Sequence, residues 1–128
     1  MSTEENKAFI HRYLDALSGK EKPATLVNQY VAASDEDLRQ HIASAEAAFP
    51  RYELPPEDML AEGDKVVVRA TFRGTHQGEF FGVPATGREV AVPLIIIYRI
   101  ADGMIVEHWL QMDALGLMQQ LGAIPAPA

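Results

Sequence analysis

The sequence predicts an α+β fold in which three N-terminal helices pack on a strongly curved antiparallel sheet and form a cone with an internal pocket. Apolar residues recur at helical spacing before Pro50 and at the two-residue spacing of strands after it. Asp102-Gly103 lies between two apolar runs, which is a strong signal for a tight hairpin turn. Both faces of that hairpin carry apolar side chains, so we expect both to be covered.

The first half of the chain predicts three helices. The first covers residues 3–18, where Ser2 begins a capping box. Pro23 opens the second as a first-turn residue, and the apolar stripe of that helix reaches Val31. Ser34 is the predicted cap of the third, which has acidic residues at the positive end of its dipole.

The second half predicts a sheet and a last short helix. Strands are predicted over residues 52–61, 65–73, 89–100 and 104–112, and the helix over 114–121. Pro55-Pro56 interrupts the first strand, which favours a position at the sheet edge. Residues 74–88 form a long loop with four glycines, and loops of this length are often functional. Asp113 is interpreted as the cap of the last helix.

Side chains of a strand alternate between its two sides, so the predicted hairpin sorts into two rows. One row is almost wholly apolar and is expected to line the interior: Val90, Val92, Leu94, Ile96, Tyr98, Val106, His108, Leu110 and Met112. The other row carries Arg99 and Trp109, and its apolar content predicts burial against a second copy of the chain. We therefore expect a homodimer through the outer sheet face. Glu107 is expected to pair with Arg69, Arg73 or Arg99 across the strands.

The composition narrows the possible functions. The chain has 128 residues, enough for one domain over 1–128, and a formal net charge of −7. That charge argues against nucleic acid and anionic membranes as partners, because both attract clustered Lys and Arg. Cysteine is absent, and no His or carboxylate spacing is typical of a metal site. Without a signal segment or a membrane-length apolar run, the expected location is cytoplasmic. The Pro/Ala-rich residues 123–128 are expected to be flexible.

Three stretches resemble a known family. GTHQGEFFGVPATGR at 74–88, YRIADGMIVEHW at 98–109 and MDALGLMQQLG at 112–122 are similar to the SnoaL-like polyketide cyclases, within the nuclear-transport-factor-2-like superfamily of α+β cones. The resemblance implies a cone-shaped pocket for a hydrophobic small molecule, a dimer through the outer sheet face, and no metal or organic cofactor. The type enzymes of the family close a ring by intramolecular aldol condensation on an aromatic polyketide ester.

The chain departs from this family at the chemistry. The family's acid/base aspartate aligns with Leu110, and the histidine that assists it aligns with Ile96. An aldol condensation needs a base beside a carbonyl and an acid for the oxygen that forms, and aliphatic side chains supply neither. His76 and His108 do align with histidines of the type enzyme, although not with its principal catalysts.

The candidate catalytic residues are therefore His108 and His76. His108 lies in the interior row, where Tyr98 or Tyr13 could orient it for acid/base work, and the alternative is a buried, hydrogen-bonded imidazole. His76 lies in the loop that could rim the mouth, and the alternative is a solvated or turn-fixing residue. The predicted substrate-binding residues are Tyr13, Leu17, Tyr30, Ile96, Tyr98, Leu110, Met112 and Phe80. His11 and His41 are interpreted as surface residues.

Three functions stay open on the sequence. The first is an enzyme that cyclises or isomerises a hydrophobic carbonyl or lactone-forming compound with His108, and with His76 as a second candidate. The second is a non-catalytic binding protein, since an apolar cone with few polar groups is a common small-molecule site. The third is an accessory dimeric protein whose cone is filled by its own side chains.

Overall fold

The computed structural model describes residues 2–125, so residues 126–128 of the predicted flexible tail lie outside it. The elements in chain order are α1 Thr3–Leu17, α2 Ala24–Val27, a 3₁₀ turn Ala33–Asp35, α3 Glu36–Ala48, β1 Pro56–Glu62, β2 Lys65–Thr75, β3 Glu89–Ala101, β4 Met104–Met112 and α4 Ala114–Gln120. The predicted class is confirmed: helices precede one curved antiparallel sheet. Among the described residues, no helix combines the length and apolar character needed to cross a membrane.

The sheet is a simple meander in the order β1-β2-β3-β4. Asp102 and Gly103 both have positive φ, 51° and 71°, as the predicted tight turn between β3 and β4 requires. β1 is an edge strand, and the interruption at the prolines is observed, because Glu53 makes only an isolated bridge to Arg73 before β1 begins. The predicted pairing of Glu107 is with Arg99, whose Nε lies 2.9 Å from Oε1.

The helices begin largely as the sequence predicts. Ser2 and Glu5 form the capping box of α1. The cap of α3 is one residue later than predicted, because the side chain of Asp35, not Ser34, accepts from the N–H of Leu38 at 3.2 Å. Asp113 caps α4 as predicted, accepting from the N–H of Gly116.

The second predicted helix is reduced to the single turn of α2. Its continuation through Val31 is wrong, because Val31 forms a parallel bridge with Ile105 of β4. Ile105 N–H donates to the Tyr30 carbonyl and Ala32 N–H donates to the Ile105 carbonyl, both at 2.8 Å. Sheet pairing therefore replaces the helix, and the chain before α3 runs along the edge of β4.

One irregularity in β4 changes the predicted rows. Arg99 pairs with Glu107 but Ile100 pairs with Ile105, so Val106 is an extra residue that bulges from the strand. Ile105 is consequently fully buried and Val106 only half-buried, the reverse of the prediction for these two residues. Beyond the bulge the alternation holds. Tyr98 lies opposite His108, and Ile96 lies opposite Leu110.

The free end of β3 is covered by a side chain. β4 ends opposite Leu94, so the edge of β3 near Ala91 has no strand neighbour on that side among residues 2–125. The amide of Gln120 takes its place: Oε1 accepts from the Ala91 N–H at 2.8 Å and Nε2 donates to the Ala91 carbonyl at 2.9 Å. This single side chain reproduces the two hydrogen bonds that a neighbouring strand would make.

Candidate functional site

The site centres on a buried histidine–aspartate pair. Nδ1 of His108 lies 2.8 Å and 3.0 Å from the two carboxylate oxygens of Asp35. The side chains are 7% and 6% exposed, respectively. Because an ionised carboxylate only accepts hydrogen bonds, Nδ1 donates to Asp35, and Nε2 is the ring nitrogen that this contact leaves for a substrate. We call this the Asp35–His108 pair.

The chain before α3 places the carboxylate. The bridge between Val31 and Ile105 sets this segment beside β4, and Ser34 Oγ then donates to the carbonyl of the bulged Val106 at 3.2 Å. Asp35 follows as the cap of α3, so its carboxylate lies next to His108. The Arg39 guanidinium fixes the same segment, because its Nη2 donates to the Val31 carbonyl at 2.8 Å.

Sequence reasoning missed Asp35 as the partner of His108. The predicted partners were Tyr13 and Tyr98, and Tyr98 is indeed the cross-strand neighbour of His108. Tyr98 instead meets Tyr13 edge-on, with ring centroids 5.6 Å apart. Burial raises the pKa of both phenols, so both side chains stay neutral in the core. The available signal is the acidic run at the start of α3, which also lies at the positive end of the helix dipole.

The predicted substrate-binding residues fall into two groups. Four of them are almost fully buried in the core: Tyr13, Leu17, Ile96 and Tyr98. Four are partly buried and pack at its margin: Tyr30, Leu110, Met112 and Phe80. Of these, Leu110 and Met112 follow His108 along the same face of β4, so the margin next to the Asp35–His108 pair is aliphatic.

Two open surface depressions lie away from this pair. One, of about 560 Å³, lies between the start of α1, the turn that joins β1 to β2 and the turn that joins β3 to β4, and Asn6, Asp64 and Asp102 contribute to its wall. The other, of about 710 Å³, lies beside Lys22 and Arg51. Neither is lined by a predicted site residue.

His76 is fully buried at the other end of the sheet. Val66 of β2 pairs with Tyr98, which in turn pairs with His108. The ten residues from Val66 to His76 then span about 30 Å along the direction of the strand. The His76 ring stacks on Phe49 with centroids 5.2 Å apart. Its Nδ1 accepts from the Thr86 N–H at 3.2 Å, and its backbone N–H donates to the Arg88 carbonyl. The structure therefore does not bring the two predicted catalytic histidines together.

The loop held by His76 lies against the end of α3. Gln77 and Gly78 both donate their N–H groups to the Ala48 carbonyl. A side chain at Gly78 would bring its Cβ into a clash with the Ala47 carbonyl oxygen, so this close approach requires glycine. Phe80 lies edge-on to Phe49, 5.3 Å between centroids, and thus covers the core at this end.

His41, interpreted from sequence as a surface residue, does contact the site. Its ring stands edge-on to the His108 ring, with centroids 5.6 Å apart and an interplanar angle of 89°. The residue is exposed, so it lies on the solvent side of the Asp35–His108 pair.

A family model decides the relationship of the chain to known proteins. The model of the SnoaL-like polyketide cyclases matches residues 12–121, which include every residue of the site just described. The chain belongs to the SnoaL-like polyketide cyclase family. Its similarity to proteins of this kind covers both the helical half and the sheet, whereas the motifs visible in the sequence were concentrated after residue 60.

Three individual proteins illustrate what this SnoaL-like chain is similar to. The aklanonic acid methyl ester cyclase DnrD of Streptomyces peucetius is 40% identical over 121 residues, or 94% of this chain and 79% of that protein. AclR of Streptomyces galilaeus, described as a candidate hydroxylase, is 28% identical with a TM-score of 0.86 over 99% of this chain and 87% of its own. TsrD of Streptomyces laurentii is 31% identical with a TM-score of 0.80 over 97% and 99%.

Proposed function

We propose that this protein is an enzyme that moves protons on a neutral, hydrophobic carbonyl compound, in a cyclisation or isomerisation, with the Asp35–His108 pair as its base. The observation that carries the proposal is the 2.8 Å contact between Asp35 and His108 Nδ1 at the margin of an apolar core. A buried imidazole held by a carboxylate has its other nitrogen oriented and available to accept a proton.

The chemistry follows from this contact. Nε2 of His108 removes a proton from the carbon beside the carbonyl, and the carboxylate of Asp35 stabilises the imidazolium that forms. The aliphatic Ile96 and Leu110 stand at the positions where the family pattern has its catalytic residues, so the base has moved to His108. Within the described residues, the inner row of β2–β4 contains no Lys or Arg, which favours a neutral substrate over an anionic one.

The first experiment uses 2-tetralone, a neutral bicyclic ketone, as a probe. Its protons beside the carbonyl exchange in D₂O, and the unmodified protein is expected to accelerate that exchange over buffer. His108→Gln should lower the rate by about 100-fold, the usual contribution of a positioned base. Asp35→Asn should also lower it, because Asn is an equivalent helix cap but cannot stabilise an imidazolium as a carboxylate does.

The matched control is His11→Gln, which removes an exposed imidazole from α1 and should leave the exchange rate unchanged. Equal exchange rates for the unmodified protein and His108→Gln would show that His108 is not the base. Aklanonic acid methyl ester, the compound in the name of the relative DnrD, then tests whether exchange leads to ring closure.

A non-catalytic binding protein is the alternative, and the aliphatic residues at 96 and 110 favour it. In that case aromatic polyketides or steroid-like compounds should raise the melting temperature while no product forms. Stabilisation together with product supports the enzyme. A cytoplasmic location stays a prediction from the sequence.

The proposal includes a homodimer through the outer sheet face. Leu60, Val67, Ile97 and Trp109 are neighbours across all four strands, and we call them the Trp109 row. Leu60 is 69% exposed and Trp109 is 44% exposed, which leaves an apolar stripe open to solvent in one chain. Arg99 beside this stripe pairs with Glu107 of its own chain, so its charge is already balanced.

Trp109 is the single tryptophan, so its fluorescence reports on this face directly. Dilution of a dimer should shift its emission to the red as the indole meets water, and sedimentation should show the mass of two chains. Trp109→Glu is expected to give a monomer, because a carboxylate cannot be buried unpaired in such an interface. A monomeric mass for the unmodified protein at micromolar concentration would contradict the dimer.

A further inference from the structure

The Asp35–His108 pair supplies a base but does not supply an acid. Removing a proton beside a carbonyl leaves negative charge on the oxygen, and the reaction is faster when a second group protonates that oxygen. Of the two nitrogens of His108, Nδ1 is held by Asp35, so only Nε2 faces the substrate. The acid must therefore come from another side chain.

The interior neighbours of His108 are poor candidates. Leu110, two residues along the strand, has no proton to give. Tyr98, directly opposite, is 1% exposed and meets Tyr13 edge-on. A substrate that reached the Tyr98 hydroxyl would have to displace packed core.

His41 has the position that an acid requires. It lies in the second turn of α3, and its ring meets the His108 ring edge-on at 5.6 Å between centroids. Two imidazoles at this separation can contact neighbouring atoms of one small molecule. The helix that begins at Asp35 therefore supplies both the carboxylate that orients the base and a second imidazole beside it.

We propose that His41 is a second catalytic residue, the acid that protonates the carbonyl oxygen while His108 removes the proton from the adjacent carbon. This inference rests on the proposed function, because it assigns a role within the same reaction.

The proton transfers balance. The electron pair of the broken C–H bond forms the carbon–carbon double bond of the enol, and the π pair of the carbonyl moves to oxygen. That oxygen takes a proton from the His41 imidazolium, so His41 becomes neutral and His108 becomes the imidazolium beside Asp35. Because His41 is exposed, water reprotonates it directly, whereas the buried His108 returns its proton to the carbon of the intermediate or to solvent.

The test is the exchange of 2-tetralone protons in D₂O by His41→Gln, with His11→Gln as the matched loss of an exposed helix imidazole. His41→Gln should lower the rate by about 100-fold. A rate equal to that of His11→Gln, while His108→Gln is inactive, overturns the role of His41 and leaves the proposed function standing. Exchange no faster than buffer with the unmodified protein overturns both.

A second measurement separates catalysis from packing. Adding imidazole to His41→Ala should restore exchange, because the exposed position leaves room for a free imidazole to act in its place. His11→Ala measures what imidazole does by itself. Failure of imidazole to restore His41→Ala above that background, with an unchanged circular dichroism spectrum, assigns the loss to contact with His108 and overturns the inference.

Discussion

His76 and His108 show how differently two histidines of one chain are used. His108 keeps one nitrogen oriented toward the margin of the core, whereas the imidazole of His76 is wholly enclosed. Nδ1 of His76 accepts from Thr86, and Nε2 has no hydrogen-bond partner within residues 2–125. A nitrogen enclosed in this way cannot reach a substrate, so we assign His76 to holding the loop.

His76→Ala should lower the free energy of unfolding by about 2–4 kcal/mol, since it removes a buried ring and leaves the Thr86 N–H without its acceptor. His76→Asn should cost less, because its side-chain oxygen takes the place of Nδ1. Urea unfolding measures both. Neither variant should change 2-tetralone exchange, and a large loss of exchange in a folded His76→Asn would return His76 to the catalytic residues.

At the scale of elements, the bulge in β4 decides which side chains enter the core. Strict alternation predicts Val106 inside and Ile105 outside, and the extra residue reverses both while leaving His108 on the inner face. Nothing in the local sequence marks the bulge. It arises because Ile105 pairs at once with Ile100 and with Val31, a contact that spans the whole helical half.

Ile105→Ala and Val106→Ala form a matched pair that tests this reversal. Ile105→Ala should cost about 2–5 kcal/mol of stability, because it opens a cavity in a fully buried place. Val106→Ala removes a half-buried side chain and should cost less than about 1.5 kcal/mol. Urea midpoints compare the two, and a larger loss from Val106→Ala would mean that the strand follows the unbulged register.

These cases explain what the sequence could predict. The fold class, the strand rows beyond residue 107 and two helix caps follow from periodicity and from neighbours a few residues apart. The Asp35–His108 pair joins residues 73 positions apart, and no local pattern specifies such a contact. The predicted length of α2 is wrong for the same reason, because Val31 pairs with Ile105 although its spacing from the preceding apolar residues is helical.

At the scale of the molecule, three buried tyrosines make the stability of the fold depend on alkaline pH. Burial raises the pKa of Tyr13, Tyr52 and Tyr98 above the ordinary value. Below pH 10 each is neutral in both the folded and unfolded states, so none makes stability depend on pH. Above pH 10 the unfolded chain releases these protons while the folded chain retains them, and stability falls as pH rises.

Each such tyrosine should contribute about 1.4 kcal/mol of lost stability per pH unit above its unfolded pKa. Urea unfolding between pH 11 and 12 measures the slope, in a range where Lys22, whose pKa burial lowers, is mostly neutral in both states. Tyr52→Phe should reduce this slope by about 1.4 kcal/mol per pH unit, the contribution of one tyrosine. An unchanged slope would show that Tyr52 ionises in the folded protein.

The amide of Gln120 on the edge of β3 also has a consequence for aggregation. Gln120 lies 29 positions after Ala91, so the flank of β3 stays open during refolding until α4 docks. During that interval the unpaired groups of Ala91 can join a strand from another copy of the chain. Gln120→Ala should therefore leave more aggregate after refolding from urea.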